Sequence, residues 1–301
     1  MSLDSPLHLA AHPQPLDSVT VYSSPMVIPV TGPVVLDGAV AVAGSRVVHV
    51  GTRRWVFNEL KHDMATNGRV VEHHWKGIIT PGLINAHTHL QYTDMAEVGR
   101  GTYDRFRAWE IGFNTVYAKL QETRPWKESA YRGARMMVRS GTTAAADIVT
   151  DPEAVGALAS QGMHGIAYWE VMGWHNGDWK SEGIPELIDN LGHMHQEGLP
   201  SIGISPHAPY TLESGPFVDL PDIARQLDMR LHIHLAETPM EAGERDTTLT
   251  TYSAADWRDG QWASYKQLRA AGKGASAIQF VDQLGSLGPD VHIAHGVWAD
   301  A

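Results

Sequence analysis

No cysteine occurs among the 301 residues. That excludes disulfides and any thiolate metal site, and it fits the cytoplasm. No apolar run reaches 18 residues, so no membrane span is expected. The opening "MSLDSPLHLAAHPQPLDS" lacks a basic region followed by an apolar core, so it does not read as a secretion signal. Its Pro, Ser and Asp content predicts a flexible arm over residues 1–18. Positive charge is scarce: 23 Lys and Arg stand against 34 Asp and Glu, a net charge of −11 with His neutral. An acidic surface argues against nucleic acid and anionic membranes as partners. The rest is ordinary for a globular chain with a sizeable core, 43% hydrophobic and 19% charged residues. The 17 histidines stand out, chiefly by where they fall.

Residues 19–78 read as all-β. "DGAVAVAGSRVVHVG" (37–51) is two β-branched runs around Gly44-Ser45, a hairpin signal. From residue 79 strands alternate with helical stretches. Strands are expected at 77–87, 142–149, 164–172, 201–206, 230–236 and 291–297. Helices are expected at 104–121, 127–140, 183–197, 219–227 and 262–284, the last broken at "AAGKGAS". That alternation implies parallel strands joined by helical crossovers. No Gly-x-Gly-x-x-Gly follows the first strand, which weakens a dinucleotide-binding sheet. Polar residues instead collect at the C-terminal ends of four strands, which is the behaviour of a TIM-like barrel.

His87 and His89, in "ITPGLINAHTHLQYTD" (79–94), are i and i+2 on a strand. Both side chains leave one face, roughly 7 Å apart at Cα, and two such imidazoles can reach one metal ion. Alone they could be a chance pair bonded to backbone. "RLHIHLAET" (230–238) repeats the pattern with His232 and His234, and Glu237 follows. Periodicity leaves open which of those two histidines is a ligand. "SPHAPYT" (205–211) ends a strand with His207, and "VHIAHGVW" (291–298) ends another with His295. Four strand ends of one kind point to a metal site. Nitrogen and oxygen donors without cysteine suit zinc, with iron and manganese as alternatives. Such an ion with an open position activates water, and a neighbouring glutamate can carry protons.

"PGLINAHTHL", "SPHAPYT", "LHIHLAET" and "HIAHG", in this order, resemble the amidohydrolase superfamily, in its branch of chlorohydrolases and cytosine- and adenosine-type deaminases. The resemblance runs from about residue 20 to the end. It implies a (β/α)8 barrel flanked by a small β-sandwich, with 19–78 supplying part of the sandwich and 79–301 the N-terminal portion of the barrel. It further implies His87, His89 and His234 as ligands of the metal, Glu237 as proton shuttle, His295 as the residue that orients or deprotonates the water, and His207 as a substrate contact. No lysine lies between 201 and 215, where two-metal members carry one, so one divalent metal is expected.

Only about six barrel strands can be counted, and 79–301 spans 223 residues where a whole barrel takes about 250 or more. The strand-eight aspartate of the family is not found. The expectation is an open barrel completed by a C-terminal segment that supplies the remaining strands and that aspartate; a homo-oligomer is also allowed. The implied reaction is hydrolytic deamination of an amino-substituted heterocycle or adenine-type nucleoside, including an aminofutalosine-type substrate, although Gln91 stands where such members often carry Glu. Dechlorination, cyclic amide hydrolysis and a non-catalytic metal-binding homologue are the alternatives. Trp109, in "YDRFRAWEIGF", could stack on a substrate ring or simply pack its helix. "EVMGWHNGDW" (170–179), with Trp174, His175 and Trp179, could form a lid or an ordinary loop. His73 and His74 read as linker residues.

Overall fold

The computed structural model describes residues 7–8, 15–194, 201–238, 241–242 and 276–299. Two compact units divide the chain, Met1–Gly82 and Leu83–Ala301.

The first unit is one mixed sheet. It comprises β1 (Leu7–His8), β2 (Leu16–Val27), β3 (Val35–Ala43), β4 (Arg46–Thr52), β5 (Met64–His74) and β6 (Ile78–Ile79). The order is β1-β4-β3-β2-β5, and β6 also pairs with β2. The β3–β4 hairpin turns at Gly44, whose φ of 58° suits a residue without Cβ. Strand β2 already begins at Leu16, inside the stretch read as a loose arm, and β1 pairs with β4. Residues 1–6 and 9–14 of that arm lie outside the described residues.

One element departs from the all-β reading: helix α1 (Arg53–Asp63). Trp55-Val56-Phe57 looks like a strand fragment. Thr52, however, caps the helix by accepting from the Trp55 N–H at 3.3 Å. Val56 and Leu60, four apart, then bury one face against Val19, Val21, Ala39 and Ala41. Among the described residues, a helix thus covers this face of the sheet. His73 and His74 belong to β5 and are not a linker; His73 stacks on Tyr22 and His74 Nδ1 meets Ser23 Oγ at 3.1 Å.

The second unit is a TIM-like partial barrel. Its strands are β7 (Leu83–Thr88), β8 (Thr142–Val149), β9 (His164–Val171), β10 (Ser201–Pro206), β11 (Leu231–Leu235) and β12 (Val291–His295). They pair in sequence order, all parallel. Its helices are α2 (Ala96–Arg100), α3 (Phe106–Gln121), α4 (Trp126–Arg139), α5 (Asn176–Asp178), α6 (Ile184–Met194), α7 (Ser214–Gln226) and α8 (Ala277–Gln283). The first barrel strand starts at Leu83 and not at 77, because Ile78–Ile79 pairs with β2 in the other unit. Helix α7 starts five residues earlier than expected; Pro216 sits in its first turn, where the missing N–H costs nothing. Residues 262–275 of the last expected helix lie outside the described residues. Ser276 and Gln279 form a reciprocal capping box at the start of α8.

Every residue of β11 is buried. Ile204, Leu231 and Ile233 pack with Phe217, Leu220 and Phe280 in one core. At the two ends of the strand order the pattern reverses. Leu83 and Ile84 on β7 and Ile293 on β12 are exposed. Among the described residues no helix is long and apolar enough to cross a membrane.

Candidate functional site

The six strands release their polar residues at one end, around a cavity of about 480 Å³. His87 is the last residue but one of β7, and His89 follows the strand. His207 follows β10, His234 lies on β11, Glu237 follows it, and His295 ends β12. All of them line the cavity, as does Trp109 from α3. Every site residue expected from the sequence is thus brought to one place.

The imidazoles are closely set. His89 Nε2 and His234 Nε2 are 3.3 Å apart. The His87 ring is centred 4.8 Å from that of His234 and 5.2 Å from that of His295. Among the described residues, two sets place their donor atoms within 4.8 Å of one another: His87, His234 and His295, and His89, Glu170 and His234.

Hydrogen bonds decide which nitrogens face the cavity. His234 Nδ1 meets the His207 carbonyl at 3.1 Å, so it must carry the proton, and Nε2 is left as a donor to a cation. His87 Nδ1 meets His232 Nε2 at 3.1 Å, which leaves its own Nε2 free. His232 points to the same interior as His234 but lies against His87 and off the cavity wall. That observation separates the two histidines that periodicity could not.

Burial keeps these rings neutral. It lowers His87 to about 4, and His207 and His232 to about 3. His89 and His234 fall well below the usual histidine range for the same reason. Neutral imidazoles are ligands, and protonated ones are not. The donor set fits a divalent cation on a second count. Two nitrogens bound tetrahedrally at about 2.0–2.1 Å stand roughly 3.4 Å apart, close to the 3.3 Å between His89 and His234. Among the described residues the buried Glu170 Oε1, on the cavity wall, has no hydrogen-bond partner, as expected where an ion or substrate belongs.

Three polar residues around the site, Glu170, Tyr210 and Asp147, escaped the sequence reading, which named Gln91 only for its place beside His89. Glu170, at the end of β9, is buried, with Oε1 3.9 Å from His207 Nε2. Burial first, then the charge of Glu237, raises it to about 8. Tyr210 donates to Glu237 Oε2 at 2.6 Å, while Glu237 Oε1 faces His295 Nε2 at 3.6 Å. Asp147, buried on β8, accepts from the Leu90 N–H at 2.8 Å and so holds the chain beside His89. Gln91, buried, bonds Thr150 twice, at 2.5 and 2.9 Å, pinning the same loop to β8. Of the three, only Tyr210 carried a signal, its place in "HAPYT"; Glu170 and Asp147 looked like ordinary strand polar residues.

Trp109 forms an aromatic wall with Phe106 and Phe113, at ring spacings of 5.3 and 5.4 Å. It both packs its helix and faces the cavity. Trp174 and Trp179 do not line the cavity. Trp179 is fully buried and donates Nε1–H to Asp219 at 3.0 Å, and His175 pairs with Glu213, so this loop is packed structure and not a lid.

A family model described as the amidohydrolase family matches residues 78–300. The chain belongs to the amidohydrolase family. It is 26% identical over 229 residues to a 5-methylthioadenosine/S-adenosylhomocysteine deaminase of Thermococcus kodakarensis, covering 74% of this chain and 47% of that one. Its fold matches an adenosine deaminase of Xanthomonas campestris with bound zinc at a TM-score of 0.62 and 20% identity, covering 94% of this chain and 58% of that one. It also matches the zinc complex of an atrazine chlorohydrolase of Arthrobacter aurescens at 0.64 and 19%, covering 92% and 60%. This amidohydrolase spans about half the length of the curated relatives it matches.

Proposed function

We propose that this amidohydrolase chain carries the centre of a metal-dependent hydrolase that deaminates an amino-substituted heterocycle, most simply an adenine-type nucleoside. The observation that carries the reading is the meeting of His87, His89 and His234 with Glu237 and His295 in one cavity. His87, His89 and His234 would hold the ion through the nitrogens that hydrogen bonding leaves free. Zinc suits this all-nitrogen set, and two fold relatives hold zinc. A divalent ion bound there supplies a water activated at neutral pH.

The chain's own residues then do the rest. His295, beside Glu237, holds the attacking water. As the water's oxygen bonds to the reacting carbon, Glu237 takes a proton from it and delivers this to the adjacent ring nitrogen, then moves the second water proton to the departing amine, whose bond to carbon breaks. His207 contacts the substrate, and the Trp109 wall stacks on its ring. The names of the curated relatives support deamination of adenine nucleosides. The chlorohydrolase fold match keeps dechlorination as the second reading. The exposed apolar residues on β7 and β12 support further strands covering both edges.

The zinc-loaded whole protein, with the strands that complete its barrel, should release ammonia from at least one of adenosine, 5′-deoxyadenosine, 5′-methylthioadenosine and cytosine. Chloride release from atrazine without any ammonia would favour the second reading, and neither product would overturn both. Glu237→Gln should cut turnover strongly and keep its metal. Loss of metal in that variant would remove the shuttle assignment.

A further inference from the structure

We infer that Glu241 is a positioning residue for Glu237, fixing the backbone that aims this carboxylate into the cavity. The inference rests on the reading of Glu237 as proton shuttle. Strand β11 ends at Leu235, and the chain then turns through Ala236, whose φ of 53° lies in the left-handed region. A side chain there is strained, so the surroundings must impose the conformation. The Glu241 carboxylate does so. Its Oε1 accepts from the Ala236 N–H at 3.0 Å, and its Oε2 accepts from the Glu237 and Thr238 N–H groups, both at 2.9 Å. The Glu241 N–H returns to the Thr238 carbonyl at 3.1 Å, closing the loop.

Glu241 is 1% exposed and does not line the cavity. Burying a carboxylate is costly, and three hydrogen bonds to one charged group are the compensation that makes it tolerable. With both oxygens accepting, a proton on either would displace a backbone N–H. A simple turn needs no such arrangement. Here it grips the three consecutive amides centred on the residue whose side chain must meet Tyr210 and His295. Glu237 is thereby held at both ends: Tyr210 fixes the carboxylate, and Glu241 the main chain. A glutamine at 241 would keep the shape but present an NH2 group to a backbone N–H, so at least one bond is lost.

The test is a double-mutant cycle on zinc-loaded protein, with ammonia release, metal content and KM measured together. Glu241→Gln should lower kcat about 10- to 100-fold, as expected for slight misplacement of a reacting group, with metal content and KM unchanged. Glu241→Asp, which keeps the charge, should recover part of that loss and serves if the glutamine variant does not fold. In the Glu237→Gln background the same change at 241 should cost nothing further, because no shuttle is left to misplace. An unchanged kcat in Glu241→Gln overturns the inference. So does the same fold-loss in both backgrounds, or loss of metal, since either marks a merely structural role. Full turnover in Glu237→Gln alone would instead bring down the shuttle reading, and this inference with it.

Discussion

His89 and His234 come from strands 145 residues apart, yet their Nε2 atoms face each other at 3.3 Å. Two imidazole nitrogens so placed share either one proton or one cation. The second arrangement gives the first prediction. Chelator-stripped protein should gain stability on adding zinc, by about 4 kcal/mol at a thousandfold excess over Kd. Calorimetry should show the rise in Tm, and His89→Ala and His234→Ala should abolish it. His207→Ala should keep it, in line with the substrate contact proposed for His207. Equal zinc stoichiometry in the His234 variant would contradict the ligand set.

Tyr210 and Glu237 give the second. The phenol sits 2.6 Å from the carboxylate and is itself buried. A hydrogen bond to a charged group contributes about 1.5–3 kcal/mol. Tyr210→Phe should therefore reduce kcat roughly 10- to 100-fold while leaving the metal in place. A loss confined to KM would mean that Tyr210 binds substrate and does not hold the shuttle.

Asp147 separates two roles of one side chain. Burial raises its carboxyl to about 8, so it is uncharged at neutral pH, and what it supplies is an oxygen for the Leu90 N–H. Asparagine supplies the same oxygen. Asp147→Asn should be nearly neutral in urea unfolding, whereas Asp147→Ala should cost about 1–3 kcal/mol by leaving that N–H buried and unpaired. It should also weaken metal binding about 10- to 100-fold, because Leu90 adjoins His89. Equal behaviour of the two variants would refute this account.

The pH dependence of the metal-free protein follows from opposed groups. His87, His89, His207, His232 and His234 are held by burial below their usual 6.5, so in acid the unfolded chain binds more protons and folding loses stability as pH falls below about 6.5. Asp147 and Glu170 are raised to about 8. They keep protons that the unfolded chain has released, so stability also declines as pH rises through 7 to 8. Between about 4.5 and 6.5 the five histidines outnumber these two carboxyls. Urea midpoints should peak near pH 6.5–7. A midpoint still rising at pH 9 would mean that these carboxyls are charged in the folded state.

The parts of the site that read clearly in the sequence were those where a residue type is improbable for its surroundings. Histidine at the end of an apolar strand is such a case, and the four strand ends marked the cavity. Glu170 was not visible that way. One glutamate after "AYW" looks like any rim carboxylate until β9 is known to lie inside the sheet, with both faces covered. Glu241 was hidden for another reason: its partners are backbone amides, which leave no trace in side-chain patterns. In the fold, alternation revealed the strands of the barrel, but Trp55-Val56-Phe57 masked α1, whose decisive signal is the Thr52 cap. Aromatic content suggested a lid at Trp174 and Trp179, whereas the Asp219 contact shows one of those rings serving the core.

Strands β7 and β12 stand at opposite ends of the pairing order, yet His87 and His295 meet with ring centres 5.2 Å apart. A cation held as proposed, by groups from β7 and β11, would therefore be a clasp across most of the curled sheet. The contacts that build it close loops of well over a hundred residues, whose entropy must be met before they return anything. The clasp can fasten only after the intervening strands have docked. Metal uptake by this chain should time the end of folding, and a slow zinc-binding phase after refolding would report the moment at which the sheet's two ends come together.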